Sequence, residues 1–436
     1  MNENRGIHVA MVAEMTSRFR RNGVGSRFRA SRFPSCRRFG RKRLPTPWRV
    51  PPRWGPIRAF ILLIAGAALV AAGGAHAAAQ EPASPAAAEP ATDWPLFRGD
   101  PRSSGVAQTT LPDQPAQRWK YEVPKGSFEG TPVIVAGAVY IGDLDGTVHA
   151  LDLATGQVKW KYKTEAGFMA SPAVRDGRLY IGDIDGQFFC LDTADGKLLW
   201  EFAAEGEIDS GANFHRDNVL FGSQDATLYC LNARTGKLVW KYAIGDQIRC
   251  TPTVVEDRCF VAGCDGRLHV IDLNQGQEAA SVEIGAPTGV TPAAVGDRVY
   301  FGTEAGAFLC VDWKQAKILW TYSDERSSQG FRSSPAATEQ AVVVGGRNRR
   351  IQAFAPDTGK ELWSFAAKTR VDASPVIVGS RVFAAAADGR LYALELQTGK
   401  LLWEHQAAGG FAGSPAVAAN RLVIASDQGV VYCFGR

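Results

Sequence analysis

The chain has 436 residues, room for one large domain or two to three average ones, and its 45% hydrophobic and 21% charged content is that of a globular protein. The formal charge of +5 is carried by the N-terminus: residues 1–58 hold 15 Lys and Arg against two acids, whereas residues 59–436 hold 34 bases and 42 acids, a net of −8. An acidic body offers no footprint for nucleic acid, and scarce Met with abundant Trp disfavours amphipathic-helix architectures.

In chain order, residues 1–58 read as an Arg-rich leader ("RFRRNGVGSRFRASRF", 18–33), a charged disordered tail rather than a domain. Residues 59–79 follow with a short apolar run, "AFILLIAGAALVAAGG", and then "AHAAAQ". A basic flank, a short apolar core and a small-x-small site define a secretory signal, with cleavage after Ala77 or Ala79. The competing reading is an uncleaved signal anchor, which would be the chain's one route to a membrane. No Cys follows the apolar run to carry a lipid. Residues 80–117 begin with a Pro/Ala spacer and continue into a lead-in, "DWPLFRGDPRSSG" (93–105). Export permits disulfides, but seven of the eight Cys lie beyond the signal, and an odd number argues against a disulfide framework.

From residue 118 to 436 one motif returns: "LDLATGQVKW" (151–160), "LDTADGKLLW" (191–200), "LNARTGKLVW" (231–240), "VDWKQAKILW" (311–320), "FAPDTGKELW" (354–363) and "LELQTGKLLW" (394–403). Trp119, Trp160, Trp200, Trp240, Trp320, Trp363 and Trp403 keep this period; at 280 the register holds but the residue is Ala280, which predicts a weakened contact there. A Ser/Thr-Pro pair keeps step at Thr131, Ser171, Thr251, Thr291, Ser334, Ser374 and Ser414, and one unit breaks it with Gly211-Ala212. Within a unit, short alternating runs are split by Gly/Asp turns, as in "SPAV", "RLYIGD", "QFFCLD" and "LLWEF". Four strands per unit and eight units predict an all-β, eight-bladed β-propeller. Its ring would be closed by the N-terminal Trp strand "RWKYEV" (118–123), because the last unit stops after its third strand.

The pattern x-D-x-x-T-G-K-x-x-W, preceded by Ser-Pro and Asp-Gly, resembles the pyrroloquinoline quinone (PQQ) enzyme repeat. In that family the Trp is wedged between neighbouring blades, a docking role the resemblance extends to the seven Trp named above. Two branches share the repeat: quinoprotein dehydrogenases, and non-enzymatic propellers similar to the outer-membrane assembly protein BamB. The W-P-x-F-R-G lead-in resembles the segment found ahead of the BamB-like branch.

A quinoprotein dehydrogenase needs a calcium ion on the quinone, an Asp base and aromatic groups around the ring, carried on long excursions. Units of 40 to 43 residues leave no insertion for them, and no two Cys are adjacent. No catalytic, metal or cofactor-binding residue is therefore assigned, and no cofactor is expected. Asp143-Leu144-Asp145-Gly146 and Asp183-Ile184-Asp185-Gly186 suggest calcium loops, yet strand residues follow at once, so they read as Asp-Gly hairpin turns. His149 and His269 share a largely aromatic slot with Phe189, Tyr229, Leu309 and Tyr392, and Cys190, Cys230, Cys310 and Cys433 share a small-residue slot with Ala150 and Ala393. Cys250 and Cys264 fall near the open ends of one hairpin, where a cross-strand disulfide is conceivable.

The position two before each Ser/Thr-Pro is where the copies disagree: Glu129, Met169, Asp209, Arg249, Gly289, Arg332, Asp372 and Ala412. Five of the eight are charged, so Glu129, Asp209, Arg249, Arg332 and Asp372 are the expected rim of a binding site at the channel mouth, with the two Arg facing acidic groups. A rim of solvated, salt-bridged neighbours is the other reading. The expected protein is a monomeric, exported, non-enzymatic scaffold binding protein partners in the periplasm or cell envelope, similar to BamB. The alternatives are a PQQ-dependent alcohol or sugar dehydrogenase and an extracytoplasmic sensor domain.

Overall fold

The computed structural model describes residues 93–324 and 329–436, and every regular element among them is a β-strand. The leader, the signal segment and the spacer through residue 92 lie outside the described residues. Blade one consists of Val133–Val135 (strand A), Ala138–Gly142 (B), Thr147–Asp152 (C) and Val158–Lys163 (D), each antiparallel to the next. The pattern repeats to give eight such blades, the all-β propeller expected from the repeat. Blade eight takes its A, B and C strands from Ala416–Ala418, Arg421–Ala425 and Val430–Gly435, and its outermost strand is Ala116–Glu122, with Trp119 opposite Cys433.

Local chemistry explains the order of strands. B strands such as "AVYIG" are buried throughout because both faces pack on neighbouring blades, so they are apolar without alternation. D strands face solvent and alternate; Lys159, Lys161 and Lys163 line the outward edge of blade one, which discourages edge-to-edge pairing. In every blade the C–D register slips by one residue just before the Trp position. That β-bulge re-aims the following side chain.

The re-aimed indole lands on the next blade. Trp119, Trp160, Trp200, Trp240, Trp320 and Trp363 lie against Gly156, Gly196, Gly236, Gly276, Gly359 and Gly399, so close that a Cβ on any of these glycines would sit 2.5–2.7 Å from the ring. The same turn accepts the indole N–H: Trp119 donates to the Leu153 carbonyl (2.9 Å), Trp160 to Thr193 (2.8 Å), Trp200 to Ala233 (3.1 Å), Trp320 to Pro356 (2.9 Å) and Trp363 to Leu396 (2.8 Å). The Thr-Gly of the repeat is thus the seat for the preceding blade's Trp. Trp403 meets blade eight differently, edge-on to Phe434 with ring centroids 5.8 Å apart.

The reading of Ala280 as a weakened contact needs correcting. Opposite it the seat glycine is replaced by Ala316, and Trp313 of the same turn packs with Ala280 in one buried cluster. Trp313 meets Phe260 of blade four at 5.4 Å between centroids and donates its N–H to Gly296 of its own blade (3.2 Å). The wedge is present but comes from the opposite side of the interface.

Around the channel, the backbone N–H of six of the seven Ser/Thr-Pro residues donates to the hydroxyl of the next unit's: Thr131 to Ser171 (3.0 Å), Thr251 to Thr291 (2.9 Å), Thr291 to Ser334 (3.1 Å), Ser334 to Ser374 and Ser374 to Ser414 (both 2.9 Å), and Ser414 to Thr131 (2.9 Å). Gly211 N–H donates to Thr251 (2.9 Å) but, having no side chain, accepts nothing from Ser171. This belt ties neighbouring A strands together, the last unit to the first included.

Candidate functional site

The eight variable positions converge. Glu129, Met169, Asp209, Arg249, Gly289, Arg332, Asp372 and Ala412 surround one cup of about 170 Å³ at the channel mouth, with the hydroxyl belt beneath them. All five charged residues expected at the rim are brought together here.

The cup is blind because the lead-in lies inside the channel. From Trp94 to Thr109 the segment visits the blades in order. Trp94 bridges to Ile134 of blade one, Pro95 O accepts from Val174 N–H (2.8 Å), and Pro101 O from Val254 N–H (2.7 Å). Arg102, Ser104 and Gly105 carbonyls then accept from Ala294 (2.9 Å), Ala337 (2.8 Å) and Ile377 (2.9 Å). Val106–Ala107 adds a short parallel strand to blade seven, and Thr109 meets Asn420 of blade eight (3.0 Å). Two polar A-strand residues hold this thread: Asn213 Nδ2 donates to Pro101 O (2.8 Å), and Thr253 Oγ1, whose own proton goes to the Pro292 carbonyl, accepts from Ser103 Oγ (3.1 Å). Phe97 rises from the thread to floor the cup, and a Cβ at Gly211 would lie 3.2 Å from its own. The broken link in the belt is therefore the space that Phe97 needs. Arg98 is wholly buried; one guanidinium nitrogen donates to the Pro335 and Pro375 carbonyls, while Nε and Nη1 have no partner among the described residues. Burial pulls its pKa down to about 9, against the opposing pull of Asp100.

The rim divides by partnership. Asp372 is held by Arg347 (3.1 Å) and Arg370 (3.0 Å), and Asp209 accepts from Gln224 Nε2 (2.8 and 2.9 Å). These two acids match the salt-bridged, solvated reading. Arg249 crosses Gly289, where a Cβ would lie 3.1 Å from its own, and its guanidinium donates to Gln247 Oε1 (3.1 and 2.7 Å). Glu129, Arg249 and Arg332 are exposed and form no ion pair among the described residues. The cup therefore offers two guanidiniums and one carboxylate that are in no ion pair among the described residues, one of the guanidiniums resting on the Gln247 amide oxygen.

The other candidates resolve into structure. Asp143 Oδ1 accepts from Thr147 N–H (2.7 Å), the geometry of a hairpin turn. Its Oδ2 bonds His149 Nε2 (2.7 Å), and because a carboxylate only accepts, His149 Nδ1 is left to accept from Tyr121 of blade eight (3.1 Å). His269 bonds Asp265 (3.0 Å) and Glu278 (2.7 Å), and Tyr242 of blade three reaches the same Glu278 (2.8 Å). The aromatic slot is thus a second inter-blade contact. Among the described residues no three His, Cys, Asp or Glu side chains are grouped to hold a metal ion. The seven described Cys are free thiols; the disulfide conceived for Cys250 and Cys264 is not formed, Cys250 being buried while Cys264 Sγ turns to the Thr288 carbonyl (3.8 Å). Burial pushes the thiols of Cys230, Cys250, Cys310 and Cys433 up to about 12. A bound quinone does not fit this channel: the thread fills it below the belt, and the cup is smaller than the ~300 Å³ typical of small-molecule sites.

Blades locked by a Trp-on-Gly seat and stapled at the axis define a PQQ-type repeat propeller. The family model of the outer membrane protein assembly factor BamB matches residues 104–209, 190–323 and 264–436. The chain belongs to that family. Among solved structures it is similar to BamB from Moraxella catarrhalis, at 20% identity and a TM-score of 0.64, covering 74% of this chain and 100% of that one. It is also similar to the quinohemoprotein alcohol dehydrogenase from Comamonas testosteroni, at 15% identity and a TM-score of 0.68, covering 79% of this chain and 80% of that one. At such identities these likenesses establish the fold alone. A curated relative, the serine/threonine-protein kinase AfsK of Streptomyces griseus, is 41% identical over 54 residues; the match spans 11% of this chain and 7% of the kinase.

Proposed function

We propose that the protein is an exported, non-enzymatic scaffold that docks protein partners in the cell envelope and acts in the assembly of outer-membrane proteins. The observation that carries this reading is the blind cup: the repeat varies where its copies meet the channel mouth, and Glu129, Arg249 and Arg332 stand there without an ion pair among the described residues. Membership of the BamB family supports it. The signal-like segment at 59–79 supports export, and a monomer presenting one cup is the simplest arrangement.

The test is affinity capture from the native envelope, comparing wild type with Arg249→Ala/Arg332→Ala. Loss of a captured partner supports the reading; an identical set of partners overturns the role of the rim. The second reading, a quinone-dependent dehydrogenase, is favoured by the likeness to quinohemoprotein alcohol dehydrogenase. Dye-linked alcohol oxidation with added PQQ and calcium checks it, and turnover together with a thermal shift would establish it over the scaffold.

A further inference from the structure

The charges on the rim of the cup fall about one line across the mouth. Glu129 stands at blade one, and Gly289 lies opposite it at blade five. Arg249 and Arg332 flank that glycine at blades four and six; Asp209 and Asp372 follow at blades three and seven. Blades two and eight, on either side of Glu129, carry the uncharged Met169 and Ala412. The rim is thus basic around blade five and acidic toward blade one.

The mouth as a whole holds no excess of positive charge. Arg347 and Arg370 bracket Asp372, and Glu304 shares a hollow with Arg332. Burial and then Asp209 push the Glu207 carboxyl up, and Arg249 opposes them. Such a rim gives a plain anion no net attraction and meets a plain cation with two guanidiniums; what it complements is a dipole. The wall of the cup adds unspent donors. The seven belt hydroxyls are buried and line it. Each spends a lone pair on a backbone N–H, and none of their protons has an acceptor among the described residues. Buried donors are ordinarily paired, so a ring of O–H groups here lacks its acceptor. At about 170 Å³ the cup is too small for a quinone but has room for about six waters, at ~30 Å³ each.

We propose that the cup binds a small amino-acid zwitterion, its carboxylate held by Arg249, Arg332 and the belt hydroxyls and its ammonium by Glu129. Guanidinium forks grip a carboxylate through paired N–H bonds, and an ammonium, with three donors and no acceptor, pairs with a carboxylate. A side chain at Gly289 would crowd Arg249, so glycine keeps the space between the two arginines open. This ligand goes beyond the scaffold role and does not depend on it, because it binds the propeller alone.

The experiment is isothermal titration calorimetry of the purified full chain, with no partner present. The probes are glycine, β-alanine and γ-aminobutyrate, which differ in the span from amine to carboxylate, beside acetate and methylamine. At least one zwitterion should bind about tenfold or more tighter than acetate or methylamine. Glu129→Gln should weaken that zwitterion about tenfold while leaving acetate no weaker, and Arg249→Ala/Arg332→Ala should weaken both. Glu129 is exposed and its side chain makes no hydrogen bond among the described residues, so its variant should keep the wild-type Tm. No binding of any zwitterion, or acetate or methylamine binding as tightly as the best of them, overturns the proposal. So does an unchanged affinity in Glu129→Gln.

Discussion

The indole of Trp160 rests on the backbone of Gly196, with room for a hydrogen and no more: a Cβ there would come within 2.6 Å of the ring. The glycine serves a second need, since its φ of +76° is also one that L side chains avoid. One residue thus sets both the turn of blade two and the seat for blade one.

Gly196→Ala should therefore destabilise the propeller by about 2–4 kcal/mol, a strain cost plus an overpacking cost. Trp160→Ala should cost about 3–5 kcal/mol through the cavity it leaves. Urea denaturation followed by Trp fluorescence checks both; a neutral Gly196→Ala would show that the seat is not tight.

At the reversed interface the rule should invert. Ala280→Trp alone drives an indole into Trp313 and Ala316 and should lower Tm. The same change combined with Trp313→Leu and Ala316→Gly restores the ordinary seat and should recover most of the loss. Failure of the triple variant to improve on the single one would refute this account of the fourth interface.

Phe97 and Gly211 should be energetically coupled. Gly211→Ser supplies the missing belt hydroxyl but forces a Cβ toward Phe97, so it should destabilise the wild type by about 1–3 kcal/mol. In a Phe97→Ala background the same change should cost markedly less, a coupling that a double-mutant cycle reads directly. Additive effects would mean that the two residues do not compete for space.

Asp143 gives a pH dependence of defined sign. Burial opposes its charge, but the hydrogen bonds from His149 and the Thr147 N–H prevail and hold its pKa below the ordinary carboxylate value. A carboxylate depressed on folding contributes stability that is complete above its unfolded pKa, about 3.9, and is lost as pH falls through the folded value. Asp143→Asn should therefore cost about 1–2 kcal/mol at pH 7, with the gap to wild type closing below about pH 4. A gap that stays constant from pH 7 to pH 3 would refute the linkage.

The thiols offer a simple count. In a Cys36→Ser background, native protein should react at one site with a maleimide, the half-buried Cys264, and at the remaining six only on unfolding. Fast labelling of Cys250 or Cys259 would mean that blade four opens.

What could be read from the sequence is what repeats. Trp and Thr-Gly recur in register, so blade number and strand order were legible without coordinates. That the Gly is the seat of the Trp was not, because the pair is separated by a blade boundary. Ala280 looked like a loss since its compensation lies 33 and 36 residues away, at Trp313 and Ala316. The lead-in was the hardest element. It occurs once and has no period, and its traces in the repeat are single deviations: Gly211 in a hydroxyl slot, and Asn213 and Thr253 among Val and Ala. The variable rim was legible as variation, but which of its charges are already paired depends on neighbours such as Arg347 and Gln224 that only the fold brings near.

A ring of like units carries no local instruction for when to stop, because each interface resembles the last whether there are seven blades or nine. The thread from Trp94 to Thr109 provides one. Its polar groups meet successive blades in the order in which the chain makes them, so it acts as a ruler laid down before the objects it measures. A blade deleted or duplicated would leave every later mark against the wrong strand. Ring size in this protein is thus written twice, once in the curvature of the blade contacts and once in the length of a single stretch of chain at the axis.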